Sequence, residues 1–413
     1  MNKKRLSDSI IIGAALFSTL FGAGNMIFPP YLGLESGKAW LWGFTGFYIA
    51  DVGLAILAIT AIVNKGSFKA LTEPIGRPAQ ILLTVAVALC LGPVISIPRT
   101  CATTFELGVL PLFPKTDPTF FSVIFFAVTL FLAFNESKVV DIVGKFLTPL
   151  LVGGLLFLIV KGVLFPISDE LDVIKTPSPI ASGISAGYQS MDVLGMAVLD
   201  GLIIDSAIRR GHRDTRSKRA VILSACAVAS VGLFAIYLGL TYLGATASTV
   251  FNMHTSRTEL LTGIVSFILP GRWGLILFGT VAGLACLTTS VALTGAVAKY
   301  FSGLCQKRIG YKGFVVAICS VSCIISMLGV EKIVAVASPL LTVIYPPVLV
   351  LILLSYFHKF ITPLSYRLAV LGALLYGVSD IFFDLGTGFG WLAPCTILAI
   401  IGTKCGFLNN KSK

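Results

Sequence analysis

Four hydroxyls stand together in an apolar run, Thr288, Thr289, Ser290 and Thr294 in "VAGLACLTTSVALTG". In a helix such hydroxyls bond the carbonyl one turn back. Joined by backbone carbonyls freed at a helix break, they would instead offer hard oxygen to a small cation. A second group, Tyr188, Gln189, Ser190 and Asp192, lies among Gly183, Gly187 and Gly195 in "SGISAGYQSMDVLGMAVLDG". A third set is ionisable: Asp51, Arg99, Glu106, Asp192, Asp200 and Asp205 all sit in apolar sequence. Buried charge is costly unless paired, so these residues read either as a structural ion-pair network or as functional groups. Arg99 and Glu106 are two helical turns apart and share a face without being immediate neighbours. With Asp51 and Asp192 they are the candidates for a gate or vestibule; Asp200 and Asp205 are expected to meet the basic run that follows them.

The elements that must position these groups are apolar almost throughout. Of 413 residues, 56% are hydrophobic and 12% charged, more apolar surface than a soluble domain can hide, so lipid is the solvent. Apolar stretches near 9–36, 39–63, 79–109, 119–134, 143–165, 180–208, 220–245, 262–298, 314–329, 333–357, 364–383 and 388–403 give about twelve helical spans. The amino terminus has the basic start and apolar centre of a secretory signal, but a polytopic chain needs no cleavable one.

The formal net charge of +12 does not point to nucleic acid, because of where it lies. With the amino terminus inside, most basic residues fall in alternate, cytoplasmic segments. Among them are Lys3, Lys4 and Arg5, Lys138 and Lys145, the run "RRGHRDTRSKR" at 209–219, Lys299 and Lys307, and Lys404, Lys411 and Lys413. That asymmetry predicts an even number of spans with both ends cytoplasmic. The nine cysteines show no CxxC spacing and read as small buried hydrophobes, and the three histidines are far apart. With no zinc, HExxH or nucleophilic motif, an embedded enzyme is disfavoured, and a channel lacks a ring-forming filter signature.

Two spans carry their own breakers. As a helix, Ser9 to Ser36 would run about 40 Å against a hydrocarbon core of about 30 Å, and "FGAGNMIFPP" places glycines and prolines at its centre and outer part. A break at membrane depth is tolerated where freed backbone groups face protein, a cavity or a ligand; close packing through small residues is the alternative. The glycine-rich sixth span occupies the matching place if spans one to five and six to ten are repeats, each beginning with a Gly-interrupted helix. That arrangement predicts an inverted-repeat secondary transporter with its site between the breaks. Pro93 and Pro98 should kink span three, and "SPLLTVIYPPVLV" gives span ten its own breakers.

The stretches "FSTLFGAGNMIFPPYLGLESGKAWLWGFTGFYIADVGL", "LCLGPVISIPRTCATTFELGV", "GYQSMDVLGMAVLDGLIIDSAIRRG" and "FITPLSYRLAVLGALLYGVSD" together resemble the branched-chain amino acid:cation symporter family of bacteria, over essentially the full length. The resemblance implies an all-α polytopic membrane protein of the amino acid–polyamine–organocation superfamily, with a leucine-transporter-like fold. Its expected parts are a cytoplasmic 1–8, a first repeat 9–165, an extracellular loop 166–179, an inverted second repeat 180–357, two further helices in 358–403 and a cytoplasmic 404–413. It also implies that backbone around Leu20, Gly22, Ala23 and Gly24, with Asn25, receives the substrate, joined by Gly187, Tyr188 and Ser190 of span six. An "Ala285-Cys286-Leu287-Thr288-Thr289" run similar to the relatives' implies a sodium site made of the Ser18, Phe21 and Ala285 carbonyls and the Thr288 and Thr289 hydroxyls. Asn25 matches the other sodium site of the relatives, but the resemblance does not place its remaining ligands, so one coupled ion is expected.

The implied function is uptake of leucine, isoleucine and valine across a bacterial plasma membrane, coupled to Na⁺ by alternating access, with spans one, two, six and seven rocking against the rest. A proton-coupled carrier with Asp51 or Asp192 as the titrating group is the rival. No organic cofactor, nucleic acid or obligate protein partner is expected; the partners are the amino acid, the ion and the bilayer.

Overall fold

In a computed structural model, residues 3–134, 139–168, 174–306, 308–383, 385 and 388–411 are described; Lys3, Lys4, Lys145 and Lys411 have no described side chain, and Lys138, Lys307 and Lys413 of the basic set lie outside. Span one is two helices, α1 (Lys3–Leu20) and α2 (Ala23–Ser36), parted at Phe21 and Gly22. The break is narrower than the breakers suggest. Pro29 and Pro30 lie inside α2, in its second turn, where the helix carries on. After a sharp turn at Gly37 (φ 47°), span two runs as α3 (Trp40–Tyr48) and α4 (Leu54–Lys65), joined by a wide π-helical turn at Ile49–Gly53 that contains Asp51.

A short helix, α5 (Phe68–Thr72), leads to span three, α6 (Arg77–Leu89) and α7 (Ser96–Thr104). The expected kink is at Gly92–Pro93, where Gly92 leaves helical geometry, whereas Pro98 sits in the first turn of α7. Spans four and five are α8 (Pro118–Phe134) and α9 (Val139–Leu164). Span six is α10 (Pro179–Ser190), α11 (Asp192–Val198) and α12 (Asp200–Arg209). Its break is at Met191, a non-glycine residue at φ 67°, and not at the glycines. Gly183 and Gly187 stay helical because their bare Cα atoms let α10 press against α3 and the turn after it.

Span seven is α13 (Thr215–Thr246), opened by the Asp214 carboxylate accepting from Ser217 N–H. The expected stretch 262–298 is two elements, α14 (Arg257–Ile268) and α15 (Arg272–Leu304), separated at Gly271 (φ 101°). Then come α16 (Tyr311–Ser326), α17 (Val330–Tyr356), α18 (Pro363–Phe383) and α19 (Leu392–Lys411). Span ten is not broken: α17 runs through Pro339, Pro346 and Pro347.

Among the described residues six helical stretches are long and apolar enough to cross a membrane; the others of the twelve are shorter or interrupted. Leu82, Phe131, Val231, Ile324 and Leu375 are exposed on the outer surface, as lipid-facing side chains must be. The packing has two-fold character. α2 packs on α13, span one on span seven, and α10 packs on α3, span six on span two. Exchanging the repeats turns one contact into the other, and α7 with α15 and α8 with α16 pair likewise. Both seams are backbone on backbone: a Cβ at Gly244 would be 1.8 Å from Pro30 O, at Gly33 1.9 Å from Thr241 O, and at Gly183 2.1 Å from Gly43 O. The chain is thus a polytopic all-α membrane protein of two inverted five-span repeats followed by a pair of packed helices, α18 and α19.

Candidate functional site between two broken helices

The breaks at Phe21–Gly22 and Met191 border one cavity of about 830 Å³. At the end of α1 the Phe21 N–H donates to Phe17 O at 2.8 Å and the Gly22 N–H turns back to Leu20 O at 3.1 Å, and α2 starts at Gly22 with no side-chain cap on the first N–H groups. Acceptors and donors of the main chain are therefore set side by side, at Leu20, Gly22 and Ala23, on the cavity wall.

Asn25 joins the two breaks. Its Nδ2 is 2.7 Å from Leu20 O and 2.9 Å from Asp192 Oδ2, and also reaches the Tyr237 hydroxyl. With two hydrogens it serves two of these acceptors at a time. Ser190 Oγ reaches Asp51 Oδ1 and is 2.5 Å from the Gly187 carbonyl, so the buried Asp51 of span two is tied to the end of α10. Arg99 of α7 donates from Nη1 to Gln189 O at 2.6 Å, while its Nη2 stands 3.5 Å from Ser190 O. The guanidinium thereby covers carbonyls that the Met191 break leaves without helical partners.

On the opposite wall, Thr288 and Thr289 line the cavity and donate to Ala285 O at 2.8 and 3.1 Å. This is the one-turn-back bond expected of hydroxyls in a helix, and it leaves oxygen lone pairs on both threonines. A Cβ at Gly22 would meet only the Thr289 methyl, at 3.9 Å, so the first break faces the threonine pair directly. The cation set carried over by resemblance is compatible with this donor chemistry: Ala285 O and the two hydroxyls lie on α15, Ser18 is in the last turn of α1, and Phe21 is in the break.

Leu20, Gly22, Ala23, Asn25, Arg99, Ser190, Asp192, Thr288 and Thr289 are thus brought to one cavity. Other expected residues are placed elsewhere. Gly24 lies behind the wall, against Arg99; Gly187 packs on Ala50. Tyr188 stacks on Tyr345 and donates to Gly388 O at 2.7 Å. Glu106, two turns beyond Arg99, belongs to a different contact, described below. Asp200 and Asp205 both line the cavity, and Asp200 also accepts the Phe68 N–H at 2.8 Å, fastening the start of α5 instead of meeting the basic run.

Comparison with known proteins decides the family: the profile described as "Branched-chain amino acid transport protein" matches residues 5–403. The chain belongs to that family. This branched-chain amino acid transport family member is 33% identical to the branched-chain amino acid permease BraB of Bacillus subtilis, over 96% of this chain and 95% of that one. It is also 33% identical to the branched-chain amino acid transport system 2 carrier protein of Pseudomonas aeruginosa, over 98% of each. Among solved structures, Mhp1, a nucleobase-cation-symport-1 family transporter, shares the fold. Its inward-facing conformation aligns with TM-score 0.66 at 15% identity, over 97% of this chain and 91% of that one. The family member is therefore a membrane transporter and not an enzyme.

In this family member the cavity lining runs past Asp205, Arg209, Lys299 and Tyr300 toward the face that carries the amino terminus, where Asp8 meets Arg210 and His212. The far side is closed over by side-chain contacts among the described residues. Arg257 of α14 pairs with Glu331 of α17, and its guanidinium covers the Phe28 and Tyr31 rings of α2 at 5.6 and 4.5 Å. Glu106 accepts from Val330 N–H at 2.8 Å and from Thr258 Oγ1 at 2.5 Å. Sequence reasoning missed Tyr237 and Arg257. A lone tyrosine in an apolar span and an arginine in a loop carry no spacing signal; their roles arise from the packing of α13 and α14 on α2.

Proposed function

We propose that the chain takes up leucine, isoleucine and valine together with Na⁺ by alternating access. The observation that carries the reading is a single cavity bordered by both helix breaks, in a chain whose full-length relatives are named as branched-chain amino acid carriers. The uncapped amino end of α2 at Gly22 and Ala23, with the Leu20 carbonyl that Asn25 holds beside it, would take the zwitterionic head of an amino acid. The Ser18, Phe21 and Ala285 carbonyls with the Thr288 and Thr289 hydroxyls would take the ion. By the charge asymmetry of its loops the protein sits in the bacterial plasma membrane with both ends cytoplasmic, so the cavity faces the cytoplasm.

The test is labelled-leucine uptake in proteoliposomes under inward sodium or proton gradients, with unlabelled competitors. Leucine accumulation should follow sodium, and Thr289→Ala should lower apparent sodium affinity by about tenfold, equal to about 1.4 kcal/mol, with insertion unchanged. An unchanged sodium response would remove Thr289 from the ion site. A second reading, proton coupling, is favoured by one observation: Asp51 and Asp192 are both buried at membrane depth beside the break. Uptake that persists without sodium and follows an imposed pH gradient would select it.

A further inference from the structure

Arg99 is held at the first break as well as the second. Its side chain is 2% exposed, yet it borders the cavity, and its Nε has no hydrogen-bond partner among the described residues. The guanidinium lies against Gly24, where a Cβ would come within 2.8 Å of Nη2, and 5.5 Å from the Phe28 ring centroid. Gly24 is the second residue of α2, a helix of 14 residues with an uncapped amino end. A fixed cation and the positive end of a helix dipole therefore point at the same place, an arrangement that repels itself until an anion sits between. The missing side chain at Gly24 is what allows the approach.

On the same cavity wall Asp192 presents the opposite charge. One of its oxygens accepts from Asn25, at the carbonyl side of the first break. A positive and a negative side chain facing one small cavity match the two charges of an amino-acid head, and a planar guanidinium is suited to a carboxylate.

We propose that Arg99, with the amino end of α2, is the residue that holds the substrate's α-carboxylate, and that Asp192 faces its α-ammonium. This assigns Arg99 to substrate recognition in place of a gate, and it rests on the amino-acid transport reading above. The site then demands a free carboxylate and a free amine on the same carbon, and branched acids or amines that lack one of them are poor ligands.

Equilibrium binding to the purified full-length protein in nanodiscs tests this with three probes: leucine, leucinamide, which lacks the carboxylate, and 4-methylpentanoate, which lacks the amine. Wild type should bind leucine at least about 30-fold more tightly than either analogue. Arg99→Gln should weaken leucine by about 10- to 100-fold and leave leucinamide unchanged. Asp192→Asn should weaken leucine and spare 4-methylpentanoate. Equal loss of leucine and leucinamide in Arg99→Gln would reduce Arg99 to a clip on the Gln189 carbonyl and overturn the proposal. Comparable wild-type affinity for leucine and leucinamide would overturn it without any variant. If Arg99→Gln is not monodisperse, Arg99→Lys and Gly24→Ala supply the same comparison, since the first loses the fork and the second displaces it. A wild type that binds none of leucine, isoleucine and valine would instead count against the transport reading itself.

Discussion

Arg257 lies across the Tyr31 ring, 4.5 Å from its centroid, and in the same pose pairs with Glu331. One side chain thus ties α2, α14 and α17 together on the side of the cavity opposite the amino terminus. A cation over an aromatic face contributes about 0.5–1 kcal/mol at an exposed site and about 2 when desolvated.

Arg257→Ala should therefore loosen that closure and shift the population toward a state open on the Arg257 side. Labelling of a cysteine introduced at Ser96, on the cavity wall, by a membrane-impermeant thiol reagent added from that side reads the shift. The rate should rise several-fold over the same cysteine variant with Arg257 intact. An unchanged rate would mean that the Glu106 contacts with Thr258 and Val330 alone keep the side shut.

Asn25→Asp replaces the amide that faces Asp192 Oδ2 with a third carboxylate at the Asp51–Asp192 site. Loss of the donor and like-charge crowding both act against the folded state. A cost of about 1–3 kcal/mol is expected for the stranded polar partners alone. The check is the thermal unfolding midpoint of the purified variant beside Asn25→Ala, which lacks the added charge and should fall less far.

Gly244→Val should abolish folding, not tune it. The added carbon would have to stand 1.8 Å from Pro30 O, a main-chain atom with no rotamer to give way. Overpacking in a core costs about 1–3 kcal/mol when side chains can shift, and more when backbone must move. Fluorescence-detected size-exclusion of the variant should show aggregate. By contrast, Gly153→Ala, where a Cβ meets nothing within 4 Å, should elute as wild type.

The spans could be read from apolar length alone, since bilayer thickness sets them, and so could the presence of a break in spans one and six. Their positions could not. Glycine signals permissiveness, but it serves close packing as readily as unwinding. In span six Gly183 and Gly187 serve the packing while Met191 takes the left-handed turn. Pro29 and Pro30 look like breakers, yet α2 runs through both, giving up the N–H bonds to the Asn25 and Met26 carbonyls without leaving the helix. The threonine pair on α15 could be singled out by type and spacing. Its placement opposite Gly22, and the meeting of Arg99 with Gly24 and of Asn25 with Tyr237, depend on long-range packing that no local pattern encodes.

The two glycine seams bear on how such a molecule can work as a machine. Where backbone rests on backbone there are no side chains to repack, so α2 cannot slide along α13, nor α10 along α3, by swapping rotamers. Each seam behaves as a weld, and α13 also carries α1, where a Cβ at Gly13 would come within 2.8 Å of Ala225 O, so both halves of span one are held to span seven and the first half of span six to span two. Whatever displacement carries the cavity from one opening to the other must be taken up at softer joints, the Met191 turn and the Thr289 face of α15. Spin-label distances between α2 and α13 should then stay constant across ligand conditions while those between α1 and α15 change.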